Sequence, residues 1–329
     1  MLSRKNVLLI GRIIVSVVLI FYLVSMIDIK RLYSIIGDTR TVPLLAAPVL
    51  TFFSFIFAAF RWKLVLRELG ISRKLRELYT YYIRALFYSM VLPGAVGGDV
   101  VRVAMCTRGA GAPLAYVATS AFLERVCGLF ILFLIGASVV LFAPSSIPQG
   151  INFPLLQLFP VMVLCLTIFA AFSVVLSRSF GEKIKLESIP KTWLRKTVQF
   201  GILLSQIKFR SFFLLLVYSG LFQATGIIAD FCLAEALNIS LSLPYFFCIT
   251  SIVFIASAFP VSLGGLGVRE SVLVYFLSTT GITTSDAIIF SFLIYCNRVA
   301  VSILGTIFQF IINYDRNKGL LWFAKGTEK

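Results

Sequence analysis

Histidine is absent from this 329-residue chain. That removes histidine-based triads, histidine general bases and histidine metal ligands together. Charge is scarce as well, at 13% Asp, Glu, Lys and Arg, against about 25% in soluble domains. The six cysteines, Cys106, Cys127, Cys165, Cys232, Cys248 and Cys296, form no C-x-x-C pair. They read as small apolar fillers, not as a disulfide framework or a metal site. No G-x4-G-K-[ST] motif occurs, so the glycine-rich stretches lack the context of a nucleotide loop. No cofactor is implied.

What remains is apolar. Hydrophobic residues make up 59% of the chain and the mean hydropathy is +0.98. The composition predicts one integral membrane domain over residues 1–329, all-α and polytopic. A span needs about 20 apolar residues. Candidates lie at 7–27, 42–61, 113–142, 154–177, 211–237 and 285–313. The first follows a basic N-terminus, has no A-x-A-like cleavage site after it, and reads as a retained helix. Two more apolar regions, 78–108 and 243–281, are broken in the middle by glycine and proline.

The net charge of +16 follows from topology. Residues 1–12 carry three Lys/Arg, 61–76 six, 178–210 eight and 314–329 four; the loops expected opposite them carry three, all within 28–41. This asymmetry predicts a plasma-membrane protein with both termini cytoplasmic, and it makes a nucleic-acid partner unnecessary. Parity then closes with six full transmembrane helices and two re-entrant hairpins. The first hairpin opens to the cytoplasm and the second to the outside. The expected organisation is an inverted-topology repeat, 28–142 and 211–313. Residues 178–210 join the halves and read equally as a basic amphipathic surface helix or as a plain linker.

The two breaks share the pattern P-x3-G-G-x3-R. Pro93, Gly97, Gly98 and Arg102 recur as Pro260, Gly264, Gly265 and Arg269. Irregular backbone at membrane depth is tolerated where it is buried in protein or lines a watery cavity. Glycine permits a tight reversal, and a helix restarting inside the bilayer presents free N–H groups and a positive dipole end to an anion. Arg102 and Arg269, one turn further on, have the planar fork that suits a phosphate. The competing reading is that the glycines serve packing and the arginines pair with Asp99 and Glu270. Other ionisable residues fall in apolar stretches: Arg84, Glu124, Arg125, Asp230, Glu235 and Arg298. Such residues face a cavity or each other. Glu124 and Arg125 diverge by about 100° on a helix and need different partners. Asp230 fits a proton-coupling acid or an arginine partner.

The stretches "RWKLVLRELG", "LPGAVGGDVVRVAMCTRGAGAPLAYVATSAFLERVCGLF" and "PVSLGGLGVRESVLVYFLSTTGITTSDAIIFSFLIYCNRVAVSILG" resemble the lysylphosphatidylglycerol synthase transmembrane-region family, the flippase-like (UPF0104) membrane proteins. The resemblance runs in order from residue 61 to 305. It implies a lipid-translocating module. In two-domain relatives that module moves aminoacylated phosphatidylglycerol made by a cytoplasmic domain. This sequence ends in a short basic tail without such a domain, so the expectation is a transporter, not an enzyme. The expected ligand is a membrane lipid with an anionic or zwitterionic head group, bound around Gly97, Gly98, Asp99, Arg102, Arg125, Gly264, Gly265, Arg269 and Arg298. Glu124, Asp230 and Glu270 are expected to serve ion coupling or pairing. A separate lipid-modifying enzyme or glycosyltransferase is the expected protein partner, and an accessory subunit that binds a lipid-linked intermediate without moving it is the alternative function. An intramembrane lipid-modifying enzyme is the remaining alternative.

Overall fold

The computed structural model describes residues 37–91, 97–110, 113–148, 158–168, 207–258 and 267–325. Nine α-helices and one short 3-10 turn, Pro144–Ser146, appear among these residues, with no strand. We number the helices α1 Thr41–Glu68, α2 Leu75–Val91, α3 Gly97–Ala110 and α4 Leu114–Phe142. After α5 Leu158–Ile168 come α6 Phe209–Ala236, α7 Leu243–Ala258, α8 Val268–Ser278 and α9 Thr284–Lys325.

Four of these helices are long and apolar enough to cross a membrane: α1, α4, α6 and the Thr284–Ile307 part of α9. They match the spans expected at 42–61, 113–142, 211–237 and 285–313. Large apolar side chains such as Phe53, Leu134, Phe213 and Phe292 lie exposed on them, which suits a lipid-facing surface. The protein is a multi-pass helical membrane protein. The expected span 7–27 lies outside the described residues, the linker 178–210 is described only from residue 207, and 154–177 is described only over α5.

Each broken region holds two described helices. Region 78–108 is the pair α2 and α3, and region 243–281 is the pair α7 and α8. In each, the second arm is too short to span, at 14 residues for α3 and 11 for α8. The breaks themselves, 92–96 and 259–266, lie outside the described residues, so Pro93, Pro260, Gly264 and Gly265 do as well. Gly97 and Gly98 open α3. A Cβ on Gly98 would meet the Ala85 carbonyl oxygen at 2.7 Å and the Ser89 Cβ at 3.0 Å. This glycine therefore serves the close approach of the two hairpin arms. At the start of α8, Gly267 takes φ +85° and its N–H donates to Glu270 Oε2 at 2.7 Å. A glycine turn and a carboxylate cap together set the helix start.

Helices α1 and α6 match in length and in their C-terminal ends. Helices α1 and α6 are both 28 residues long, and their first residues, Thr41 and Phe209, are 168 positions apart. Each ends in a left-handed residue, Gly70 at φ +76° and Asn238 at φ +55°, again 168 apart. The next N–H then reaches back into the last turn, Ile71 to the Leu66 carbonyl at 2.8 Å and Ile239 to the Ala234 carbonyl at 2.9 Å. This arrangement satisfies carbonyls that a helix end otherwise leaves open. Helix α1 packs along α6. Each hairpin then leans on the last span of the other half, α2 against α9 and α7 against α4. Gly305 on α9 lets α2 come close, since a Cβ there would meet Ile83 Cγ2 at 2.6 Å.

Candidate functional site

The crossed arrangement leaves a cavity of about 430 Å³ between the halves. Helices α1 to α4 supply Arg61, Tyr82, Asp99, Arg102, Glu124 and Arg125; α6 and α9 supply Asp230 and Arg298. In an otherwise apolar bundle this concentration of charge stands out, because an isolated charge in a low-dielectric interior is costly.

Glu124 is the hub. It is completely buried. Its Oε1 accepts from Arg61 Nε at 2.9 Å, and its Oε2 accepts from Arg102 Nη1 at 2.5 Å. The Tyr82 hydroxyl lies 2.9 and 2.8 Å from the two oxygens and itself accepts from Arg102 Nη1. Arg102 also donates from Nε to Asp99 Oδ1 at 2.9 Å. Its guanidinium lies 4.7 Å from the Trp62 ring centroid and 4.6 Å from that of Tyr82. Trp62 is fixed in turn by its indole N–H to Ser120 Oγ at 2.9 Å. Arg61 reaches Ser219 on α6 at 3.5 Å and stacks 5.2 Å from Phe222. Side chains from α1, α2 and α3 thus meet on one carboxylate of α4, and Arg61 ties that cluster to α6.

Arg125 pairs with the other oxygen of Asp99 at 2.6 Å. Adjacent Glu124 and Arg125 have separate partners, as the helical divergence requires. The resulting chain of charges, Arg61–Glu124–Arg102–Asp99–Arg125, alternates in sign from end to end. It runs from sealed to open: side-chain exposure is 7% at Arg61 and 34% at Arg125. In the second half Arg298 donates to Asp230 at 3.4 Å, the longest ion pair of the cavity, and lies 5.3 Å from the Phe254 ring. Arg298 retains 23% exposure.

The structure distributes the expected site residues unevenly. Asp99, Arg102, Glu124, Arg125, Asp230 and Arg298 share the cavity. Arg102, expected to face a ligand, is only 3% exposed and is enclosed by two carboxylates, the Tyr82 phenol and the Trp62 indole. Its repeat counterpart Arg269 pairs with its own neighbour Glu270 at 2.5 Å, 5.9 Å from the Tyr295 ring, and is not part of the cavity lining. Gly97, Gly98, Arg84 and Glu235 are not in that lining either. Arg61 is a departure of another kind. The sequence places it at the start of the basic run 61–76, but α1 continues to Glu68 and carries Arg61 inside, 6% exposed. Arg61, Tyr82 and Trp62 are site residues that sequence reasoning did not single out. The available signal was an Arg-Trp pair continuing an apolar helix.

Among the described residues no group of three or more His, Cys, Asp or Glu side chains is placed to hold a metal ion. A search of curated proteins finds no match. The family model described as "Lysylphosphatidylglycerol synthase TM region" matches residues 9–305. Over most of its length, and with the glycine breaks and the charged cavity falling inside the matched region, the chain belongs to the lysylphosphatidylglycerol synthase transmembrane-region family.

Proposed function

We propose that this protein is a flippase- or scramblase-like transporter that carries a phosphate-bearing lipid, a phospholipid or a polyprenyl-phosphate lipid, across the plasma membrane. Its head group occupies the cavity between the two halves while its tails stay in the bilayer. The observation that carries this reading is the cavity itself, lined from both halves and holding four arginines within a membrane bundle. Its volume falls in the range of small-molecule sites, about 300–1,000 Å³. Arg298 and Arg125 are the anchors, because they are the partly exposed guanidiniums of the lining. Arg61 and Arg102 hold the walls.

The repeat supports movement as well as binding. Two hairpins, each leaning on the other half's last span, form two similar bodies around one site. Rocking one body against the other exposes such a site to each face in turn, as inverted-repeat transporters do. On this reading the first hairpin opens to the cytoplasm, the second to the outside, and both termini are cytoplasmic.

The test is reconstitution into liposomes containing head-group-labelled phospholipid, with a membrane-impermeant quencher reporting the outer leaflet. The expected result is faster exchange than in protein-free liposomes, falling at least about tenfold in Arg298→Gln, since charge-assisted hydrogen bonds are worth roughly 1.5–3 kcal/mol. Saturable lipid binding with no exchange replaces transport by an accessory, lipid-presenting role beside a lipid-modifying enzyme or glycosyltransferase.

A further inference from the structure

Three carboxylates of the described cavity lining, Asp99, Glu124 and Asp230, are held very differently. Glu124 accepts from Arg61, Arg102 and Tyr82, so both of its oxygens are occupied. Asp99 meets Arg102 on one oxygen and Arg125 on the other, and its side chain is 24% exposed. Asp230 is nearly as buried as Glu124 but has far less to hold it. Its side chain is 6% exposed, and its bond from Arg298 reaches Oδ2 at 3.4 Å. No described residue bonds to its Oδ1. The contrast falls on neighbouring places in the repeat. Arg61 on α1 meets Glu124 on α4, and Asp230 on α6 meets Arg298 on α9. At the 168-residue offset of α1 and α6, Asp230 matches Trp62, the neighbour of Arg61. One interhelical pair is reinforced and the other is left single.

The surroundings give Asp230 little else. Of the helices packed on α6, α1 and α4 bring Arg61, Glu124 and Arg125 to the lining, and these engage one another or Asp99. Tyr82 and Arg102 belong to the Glu124 network. Tyr245 and Cys248 of α7 lie in the apolar core, and α7 lines the cavity with Phe254 and Ser257. Arg269 on α8 acts on Asp230 from outside the lining and is paired with Glu270. A carboxylate keeps its charge inside a bundle only where opposite charge and hydrogen bonds replace water. Among the described residues Arg298 alone donates to Asp230, and Arg298 is also an anchor for the transported head group. Acids in such places serve proton relays in membrane transporters.

Resting on the transport reading above, we propose that Asp230 takes up a proton when Arg298 leaves it for the cargo, so that one proton crosses the membrane with each lipid head group. The proton passes from water entering the cavity to an oxygen of Asp230. The bond from Arg298 to Asp230 is replaced by one from Arg298 to the anionic group. Release on the far side returns Arg298 to Asp230 and expels the proton there. Proton and lipid therefore travel in the same direction. Glu124 takes no part, because discharging it strips Arg61 and Arg102 of their shared partner.

The test uses the native protein in liposomes with NBD head-group-labelled phosphatidylethanolamine, the membrane potential clamped at zero with potassium and valinomycin. A gradient of one pH unit is imposed, and a fast membrane-impermeant quencher then reads the two leaflets. The expected result is accumulation of labelled lipid in the leaflet facing the alkaline side, up to about tenfold, since one pH unit per proton is worth about 1.4 kcal/mol. Reversing the gradient reverses the accumulation. Asp230→Asn is expected to abolish it, and Asp230→Glu to keep part of it. An even distribution in a native protein that moves lipid overturns this proposal and leaves the transport reading standing; so does an accumulation that Asp230→Asn retains in full. Infrared difference spectra between alkaline and mildly acidic buffer, in the same liposomes, need no transport. They are expected to show a carboxylic-acid C=O band that Asp230→Glu moves. A native spectrum without that band, or a band that Asp230→Glu leaves in place, overturns the proposal even where Asp230→Asn fails to fold. Absence of any lipid movement by the native protein overturns the transport reading itself, and this proposal falls with it.

Discussion

Glu124→Gln is the sharpest probe of how the cavity is held together. The amide has nearly the shape of the carboxylate, so the substitution changes charge and leaves volume alone. It replaces one of the two carboxylate oxygens with an N–H₂ group, so either Arg61 or Arg102 loses its acceptor, and the remaining oxygen carries no charge. Two guanidiniums that are 6% and 3% exposed then face a neutral group. Removing one partner of a buried ion pair costs about 3–5 kcal/mol. For domains of 150–250 residues each kcal/mol moves the midpoint by about 2–4 °C, which implies a fall on the order of 6–20 °C here. The assay is thermal unfolding in detergent followed by tryptophan fluorescence. Trp62 stacks on Arg102 and reports from within the network. Glu77→Gln is the control. Its pair with Arg73 at 3.2 Å involves a carboxylate that is 39% exposed, and such pairs are worth about 0–1 kcal/mol. A Glu124→Gln midpoint within about 2 °C of native, or equal to that of Glu77→Gln, refutes the claim that this carboxylate is the structural hub.

Two further outcomes follow from the hairpins. Gly98→Ala drives a methyl group into the Ala85 carbonyl. It is expected to cost about 1–3 kcal/mol, read as a lower unfolding midpoint with α2 and α3 splayed, while Gly220→Ala, with open space around it, leaves the midpoint unchanged. Gly267→Ala forces a side chain into φ +85° and is expected to cost about 1–3 kcal/mol; Gly267→Asn, which tolerates positive φ better, is expected to recover part of the lost midpoint.

The sequence by itself determined the class and the four spans seen among the described residues. Scarce charge and long apolar runs leave a chain no soluble alternative, because only a helix satisfies its own backbone in lipid. The start of α3 and the separation of α7 from α8 were legible because glycine and proline act locally, through φ and the missing N–H. The family was legible for the same reason, since its motifs are contiguous. What the sequence left open was the partner of each charge. Arg102 and Arg269 occupy matching places in the repeat, yet one is enclosed by Glu124, Asp99 and Tyr82 while the other turns to Glu270. Arg61 read as part of a basic loop because a charge near a helix end has the same sequence signature whether it meets water or a buried acid. The matched ends at Gly70 and Asn238 were hidden because two different residues reach the same left-handed backbone. Only the tertiary structure decided these points. A charge in a membrane bundle is stable where an opposite charge lies within a few ångströms, and Glu124 reaches Arg61 across 63 positions of chain, a distance that helix packing closes and local sequence does not encode.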